Sequence, residues 1–423
     1  MIGISKMAAA VQPSATLAAG ARAKQLKAQG VHVFDFSLGE PDFLTPEHIR
    51  AAAAAAMNKG QTHYTPANGT PELRAAVARY YDRNYGLKVS PEQVLISNGA
   101  KHSIHNVLAA VVGPGDEVVI PSPYWVSYSD LVQMTGASYT LVPTRMEDRF
   151  KMSPAQLQAA ITPRTRLLML NSPSNPTGSV YTRSELEAIA DVVLKHDNLA
   201  VLSDEIYEKL LYGDAKATCF ATLRPGLADR TVTVSGVSKT YAMTGWRIGW
   251  TVAPLHVIKA MGNVQSQETS CASSVSQAAA VAALDGDQGC VDEMRKEFEA
   301  RRDLVFARLA KLPGVKFFIP EGAFYAFFDV SAHFGRTLGG KPVTDSMSFS
   351  LAALEAAHVC VVPGSAFGAE GFVRLSFAAS REQLHGGLDR LEQFLRQRPW
   401  PTRERAWPRQ PRSPPRRPAR CSC

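Results

Sequence analysis

The sequence predicts an α/β chain in which a large domain, built on a mostly parallel central sheet, is joined to a smaller α+β domain. Three observations predict it. Short apolar runs alternate with capped helices as far as about residue 285. Beyond residue 286 that alternation gives way to a long charged helix and short strands. A chain of 423 residues also exceeds what one hydrophobic core usually fills.

The helix starts are marked by their caps. Thr45-Pro46-Glu47, Thr70-Pro71-Glu72 and Ser153-Pro154 each put a capping residue before a proline at the first helical position. Thr182 with Glu185 reads as a capping box opening a helix to about His196. Between the helices, six apolar runs read as buried strands: Gln93–Ser97, Glu117–Ile120, Arg166–Leu170, Leu199–Ser203, Thr231–Val234 and Ile248–Ala253. In the second part, a helix over Val291–Leu312 precedes strands around Val315–Phe318, Phe324–Asp329, Val359–Val362 and Val373–Phe377. A last helix is expected over Arg381–Leu395. No internal repeat is visible.

The net charge of +8 is a property of one tail. From Arg396 onward there are nine Arg, seven Pro and one Glu, so the tail accounts for the whole excess and the body is balanced. The tail has too few aliphatic residues to bury a core and is expected to be disordered. A neutral body argues against nucleic acid as a partner. No apolar run approaches the ~20 residues of a membrane helix, so no membrane partner is expected either. The scattered cysteines have no metal-type spacing, which points to no metal and to the reducing cytoplasm. The first 34 residues lack acidic side chains, as a transit peptide would, but Gln12 and Pro13 interrupt the alanine-rich stretch.

Chemistry-bearing residues gather where predicted strands end, the edge at which open α/β sheets collect ligands. Asn98-Gly99-Ala100-Lys101 follows one strand and opens a helix, whose free N–H groups would hold a phosphate; a plain turn has the same look. Asn171 to Gly178 follows another strand, with two prolines fixing a loop that presents Asn175. Asp204 ends a third strand, and Tyr207 lies three residues on, on the same side if the turn is helical. The most distinctive segment runs from Ser235 to Gly249. It sets Lys239 between hydroxyl residues in an apolar, glycine-spaced stretch, with Arg247 eight residues later. A partly desolvated lysine becomes a nucleophilic amine, and the arginine fork matches a phosphate dianion.

Gly236 to Gly249 resembles the cofactor-attachment signature of the class I pyridoxal-phosphate-dependent aminotransferases. Tyr64-Thr65-Pro66, Pro123-Tyr124-Trp125, Asn171–Gly178, Ser203–Tyr207 and Val373-Arg374-Leu375-Ser376 stand in that family's order and spacing. The likeness covers about residues 3 to 395 and is nearest to the bacterial aspartate aminotransferase subgroup. It implies fold type I, with a large domain at 45–285, a small domain combining 14–44 with 286–395, and an N-terminal arm at 1–13. It also implies that Ser14–Gly30 is a helix of the mature fold.

The resemblance assigns roles residue by residue. Lys239 is similar to the lysine that binds pyridoxal 5'-phosphate (PLP) covalently and then carries the proton. Asp204 is similar to the partner of the pyridine nitrogen, Asn175 and Tyr207 to the donors to the ring 3-oxygen, and Trp125 to the aromatic stacked on the ring. Gly99, Ala100, Ser235, Ser238 and Arg247 resemble the phosphate cup. Tyr64 resembles a tyrosine that reaches the phosphate from a partner subunit, which implies a homodimer. Arg374 resembles the clamp on the substrate α-carboxylate, and Gly39 a backbone donor to the same group. The implied reaction is ping-pong transfer of an amino group from an L-amino acid to 2-oxoglutarate.

Side-chain specificity rests on two positions. Lys101 matches a lysine that meets the distal carboxylate of aspartate or glutamate. Gln12 departs from acid-acting members, which often carry lysine there. A neutral amide forgoes a charge-assisted contact, on the order of 1.5–3 kcal/mol in a dry site. Lys101 makes aspartate the expected substrate, Gln12 argues against strict aspartate or prephenate specificity, and prephenate or aromatic substrates are the alternative within the subgroup. Outside it, the fold also hosts PLP lyases and effector domains of transcription regulators. The latter would need a DNA-binding module, and the resemblance leaves no room for one ahead of it.

Overall fold

The computed structural model describes residues 2–11 and 15–396, so Gln12 and the tail at 397–423 lie outside the described residues. The central sheet has seven strands: β1 (Val94–Ser97), β2 (Glu117–Ser122), β3 (Ser138–Pro143), β4 (Thr165–Asn171), β5 (Ala200–Asp204), β6 (Thr231–Gly236) and β7 (Gly249–Val252). Their order across the sheet is β1-β7-β6-β5-β4-β2-β3. Only β7 runs against its neighbours, so the sheet is mostly parallel as expected.

Apart from β3, these strands are largely buried because both faces are covered. Leu167 and Met169 face a core with Ile104, Val107 and Leu108 of the helix Ala100–Val111. Leu168 and Leu170 face the opposite core, with Leu186, Ile189 and Val193 of the helix Arg183–Val193. Strand β3 was not anticipated. It is an edge strand in which only Val142 is buried, so its sequence lacks the continuous apolar signal of the others.

The caps at Thr70, Ser153 and Thr182 form as read, each side chain accepting from a backbone N–H three residues on. Thr45 does not cap its helix, which runs over Glu47–Asn58 with no side-chain cap. Its hydroxyl instead donates to the Ala242 carbonyl at 2.7 Å and accepts from Trp246 Nε1 at 3.0 Å. Thr45 is thus tied to the segment that carries Lys239.

The second sheet is antiparallel. It comprises β8 (Lys316–Phe317), β9 (Tyr325–Asp329), β10 (Val362–Pro363) and β11 (Phe372–Ser376), in the order β10-β11-β9-β8. The run expected over Val359–Val362 is split. Val359–Cys360 pairs in parallel with Phe34–Asp35, while Val362 moves to β11. That pairing binds the N-terminal stretch to the late part of the chain. The helices Gly289–Leu309 and Arg381–Leu395 pack over the same core, with Phe34, Phe36, Phe298, Phe324 and Leu388 buried together. A helix over Ala15–Ala28 stands where the alanine-rich start resembled a transit segment. A hairpin of Arg336–Leu338 and Lys341–Val343 had not been foreseen. Among the described residues no helix is long and apolar enough to cross a membrane.

Candidate active site

The strand register brings the candidate residues together. Asn171 and Asp204 are paired at the ends of β4 and β5. Gly236 ends β6, and Lys239 lies three residues on. Because β7 is antiparallel, its beginning lies at this same edge, paired with Gly236 and with Ser97 at the end of β1. Arg247 therefore enters the site from just before β7. The edge opens into a cavity of about 350 Å³. Gly39, Ala100, Lys101, Trp125, Asn175, Asp204, Tyr207, Ser238, Lys239, Arg247 and Arg374 all line it.

Three charges define the chemistry. Asp204 is buried, and its carboxylate accepts from Tyr128 Oη at 2.6 Å and from the Ile206 N–H at 3.3 Å. Neither partner brings positive charge. Burial raises its pKa from 3.8 to about 6, against the pull of these bonds and of Lys239. Lys239 is lowered from 10.5 to about 8, first by burial and further by Arg374 and Arg247, with Glu40 and Asp204 opposing. Its Nζ donates to the Gly39 carbonyl. Arg374 is 2% exposed and is held by neutral acceptors, Asn175 Oδ1 at 2.9 Å and the Ser37 carbonyl at 2.7 Å. Among the described residues its Nε has no hydrogen-bond partner. Burial lowers its pKa as well.

A buried guanidinium with no carboxylate beside it favours an incoming anion. A buried carboxylate with neutral partners favours an incoming cation. Between them stands an amine whose burial favours the nucleophilic neutral form.

An anion cradle completes the site. The helix Ala100–Val111 presents its N-terminus, and Ser238 and Arg247 lie alongside. Arg247 donates to the carbonyls of Thr244 and Asn98 at 3.0 and 3.2 Å, so it too has neutral partners. Gly99 has φ +87°, and a Cβ there would come within 2.5 Å of the Arg247 guanidinium. Only glycine lets the loop and the arginine approach this closely. Trp125 stands edge-on to Tyr128 at 5.4 Å, with Lys101 Nζ 5.0 Å from the Trp125 ring centre.

Two candidates lie elsewhere. The Ser235 hydroxyl does not line the cavity; it faces Glu208 Oε1 at 3.3 Å and the Glu205 carbonyl at 3.5 Å. Inward and outward residues alternate along β6, which turns Ser235 to the far side of the sheet. Tyr64 does not line the cavity of its own chain and is 91% exposed.

Sequence reasoning missed three residues at the site. Tyr128 holds Asp204, and its spacing of three from Trp125 in a helical turn was an available signal. Asn171 links the two loops: its side chain donates to the Asp204 carbonyl at 3.0 Å and accepts from the Asn175 N–H at 2.8 Å. Tyr325 sits between Tyr207 and Arg374, and nothing in its apolar strand marks it out.

The residues fit PLP. Asp204 can hold a protonated ring nitrogen, Lys239 can bind the aldehyde carbon, and the cradle can take the phosphate. Arg374 remains for a substrate carboxylate.

Comparison with known proteins agrees. The family model described as aminotransferase class I and II matches residues 31–391. The aspartate/prephenate aminotransferase of Cereibacter sphaeroides is 46% identical over 395 residues, covering 93% of this chain and 99% of that one. The aspartate aminotransferase of Geobacillus stearothermophilus is 44% identical over the same shares. The crystal structure of the Rhizobium meliloti aspartate aminotransferase superposes with a TM-score of 0.91 at 42% identity, covering 94% of this chain and 99% of that one. The Thermus thermophilus aspartate aminotransferase, solved with maleate, gives 0.88 at 41% identity, covering 93% and 100%. With 361 matched positions and near-complete relatives, the chain belongs to the class I and II aminotransferases, and its cofactor is PLP.

Proposed function

We propose that the chain transfers the amino group of aspartate to 2-oxoglutarate in two half-reactions at one site. The observation that carries this reading is Arg374, a buried cation held only by neutral acceptors, facing a cavity that Lys101 also lines. Two cations in one cavity suit a dicarboxylate. Among the described residues Lys101 forms no ion pair, and burial lowers its pKa, so a carboxylate would meet a cation already short of water. The similar Thermus thermophilus enzyme was solved with maleate, itself a dicarboxylate, which supports the same reading.

The geometry supports the following division of labour. Arg374 and Gly39 would fix the α-carboxylate in the cavity that Lys239 also lines. Lys239 Nζ takes the α-proton and later returns it; at a pKa of about 8 it can do both near neutral pH. Asp204 keeps the bound ring protonated, so that the ring supplies an electron sink when bound. Asn175 and Tyr207 would donate to the ring oxygen, Trp125 would pack against the ring, and Gly99, Ala100, Ser238 and Arg247 would hold the phosphate. Tyr64, exposed in one chain, fits a role across a homodimer. Residues 45–285 would act as the cofactor-holding body, and 14–44 with 286–395 as the part that closes on it. The described cysteines are free thiols, which supports a cytoplasmic setting.

The test is direct. Borohydride treatment of the holoenzyme should fix the cofactor onto Lys239. Lys239→Ala should lose at least about 10³-fold in turnover, as expected for a lost proton carrier that is also the attachment point. Full turnover in that variant would refute the mechanism. In half-reactions with excess enzyme, aspartate should outrun alanine, and Lys101→Ala should narrow the gap by about tenfold, the worth of one charge-assisted hydrogen bond. Equal rates for the two amino acids would remove aspartate from the proposal. Prephenate would then be the next substrate to try, since the similar Cereibacter protein is an aspartate/prephenate aminotransferase. Pyruvate plus ammonia as products would instead point to lyase chemistry.

A further inference from the structure

We infer that Tyr325 is a positioning residue that sets the direction of the Tyr207 O–H and gives Arg374 its seat, joining the cofactor's ring oxygen to the substrate clamp through one side chain. The inference rests on the proposed role of Tyr207 as a donor to that oxygen.

Tyr325 is fully buried in β9 and lines the cavity. Its hydroxyl lies 2.7 Å from the Tyr207 hydroxyl. Its ring lies 4.6 Å from the Arg374 guanidinium carbon, and the Phe367 ring lies 4.9 Å from the same atom. The two rings brace the guanidinium, whose charge has no carboxylate to hold it. The Gly39 backbone also lies against the Tyr325 hydroxyl, close enough that a Cβ there would come within 2.6 Å of it. The phenol therefore has little room to turn away from Tyr207.

Counting protons assigns the direction. A phenol has one proton to donate and lone pairs to accept with. If Tyr207 gives its proton to the cofactor's ring oxygen, the 2.7 Å contact survives only if Tyr325 donates to Tyr207. A Tyr207 oxygen that accepts this bond is a stronger donor in turn, because linked hydrogen bonds polarise one another. Burial raises the Tyr325 phenol above its usual pKa and the Arg374 charge opposes that rise, so the hydroxyl stays protonated and able to donate. Tyr325 thereby strengthens the bond that Tyr207 makes to the ring oxygen and lowers the proton affinity of the lysine–cofactor linkage.

The hydroxyl and the ring can be separated by two variants. Tyr325→Phe removes the hydroxyl and keeps the brace; Tyr325→Leu removes both. The measurement is the pH titration of the bound cofactor's absorption band in the holoenzyme, with KM for the amino acid measured alongside and Tyr207→Phe as reference. In Tyr325→Phe the titration midpoint should rise by about half a unit, roughly a threefold change in proton affinity, while KM stays within about twofold. Tyr325→Leu should raise both the midpoint and KM, the latter about tenfold for a lost cation–ring contact. A midpoint unmoved in Tyr325→Phe while Tyr207→Phe moves it would overturn the role of Tyr325 alone. A midpoint unmoved in both would overturn the role of Tyr207 and this inference with it. An unchanged KM in Tyr325→Leu would overturn the seating of Arg374.

Discussion

The central sheet holds a buried carboxylate at each end, and the two are treated in opposite ways. Glu117 begins β2, at the end away from the cavity. Thr162 and Thr165 donate to its Oε1 at 2.9 Å each, Thr140 donates to Oε2 at 3.1 Å, and Arg164 stands 3.6 Å away. Burial pushes its pKa up, but the three hydroxyls and Arg164 outweigh burial and hold it below the usual value. Asp204 ends β5 at the cavity, and there burial prevails. One end of the sheet matches its carboxylate with a cation; at the other end both hydrogen-bond partners of the carboxylate are neutral.

Two buried arginines repeat the contrast. Arg301 lies between Asp42 at 2.6 Å and Glu297 at 2.9 Å. Arg374, buried as deeply, has only amide and carbonyl oxygens. Between these two arginines burial does not separate the structural one from the one at the cavity; the counter-charge does.

The largest effect that could break this contrast comes from the arginines. Arg374→Leu should lower kcat/KM by about 10²- to 10³-fold, the worth of a buried carboxylate pair, and should leave the apo protein no less stable. Arg301→Leu should do the reverse, costing about 2 kcal/mol of stability by stranding Asp42 and Glu297, with KM unchanged. Steady-state kinetics and denaturant melts of both variants would check this, and similar profiles for the two would break the contrast.

A smaller effect is expected at the closed end. Glu117→Gln should cost about 1–2 kcal/mol at neutral pH with kcat/KM unchanged. The sign follows from the lowered pKa of Glu117. Its contribution is present above the ordinary carboxylate value and is lost as pH falls through the folded value. The stability gap between variant and parent should therefore shrink below about pH 4, as melts across pH would reveal.

Much of the open end was legible in sequence, because its chemistry is local. Lys239 with Arg247, Asp204 with Tyr207, and the loop at Asn175 each sit within one connection after a strand. What escaped reading depends on contacts far apart in the chain. Tyr128 meets Asp204 across 76 positions, and Tyr325 meets Tyr207 across 118. Ser235 shares the motif but not the face, because the pleat of β6 turns it toward Glu208. Thr45 carries a capping pattern that a distant contact with Trp246 overrides. Among the strands, the six apolar ones were visible, while β3, polar on its open side, was not.

The central claim is that Asp204 is a buried charge matched only by the cofactor. It is tested by the stability of the cofactor-free protein against pH, for the parent and for Asp204→Asn, repeated with PLP added. The folded pKa of Asp204 is raised to about 6, so its contribution favours the fold below the ordinary carboxylate value of 3.8 and is lost as pH rises through 6. Between about pH 4 and pH 7 the cofactor-free parent should lose on the order of 3 kcal/mol relative to Asp204→Asn. Added PLP should recover more stability in the parent than in the variant. Parallel curves without cofactor, or equal recovery in both proteins, would contradict the account.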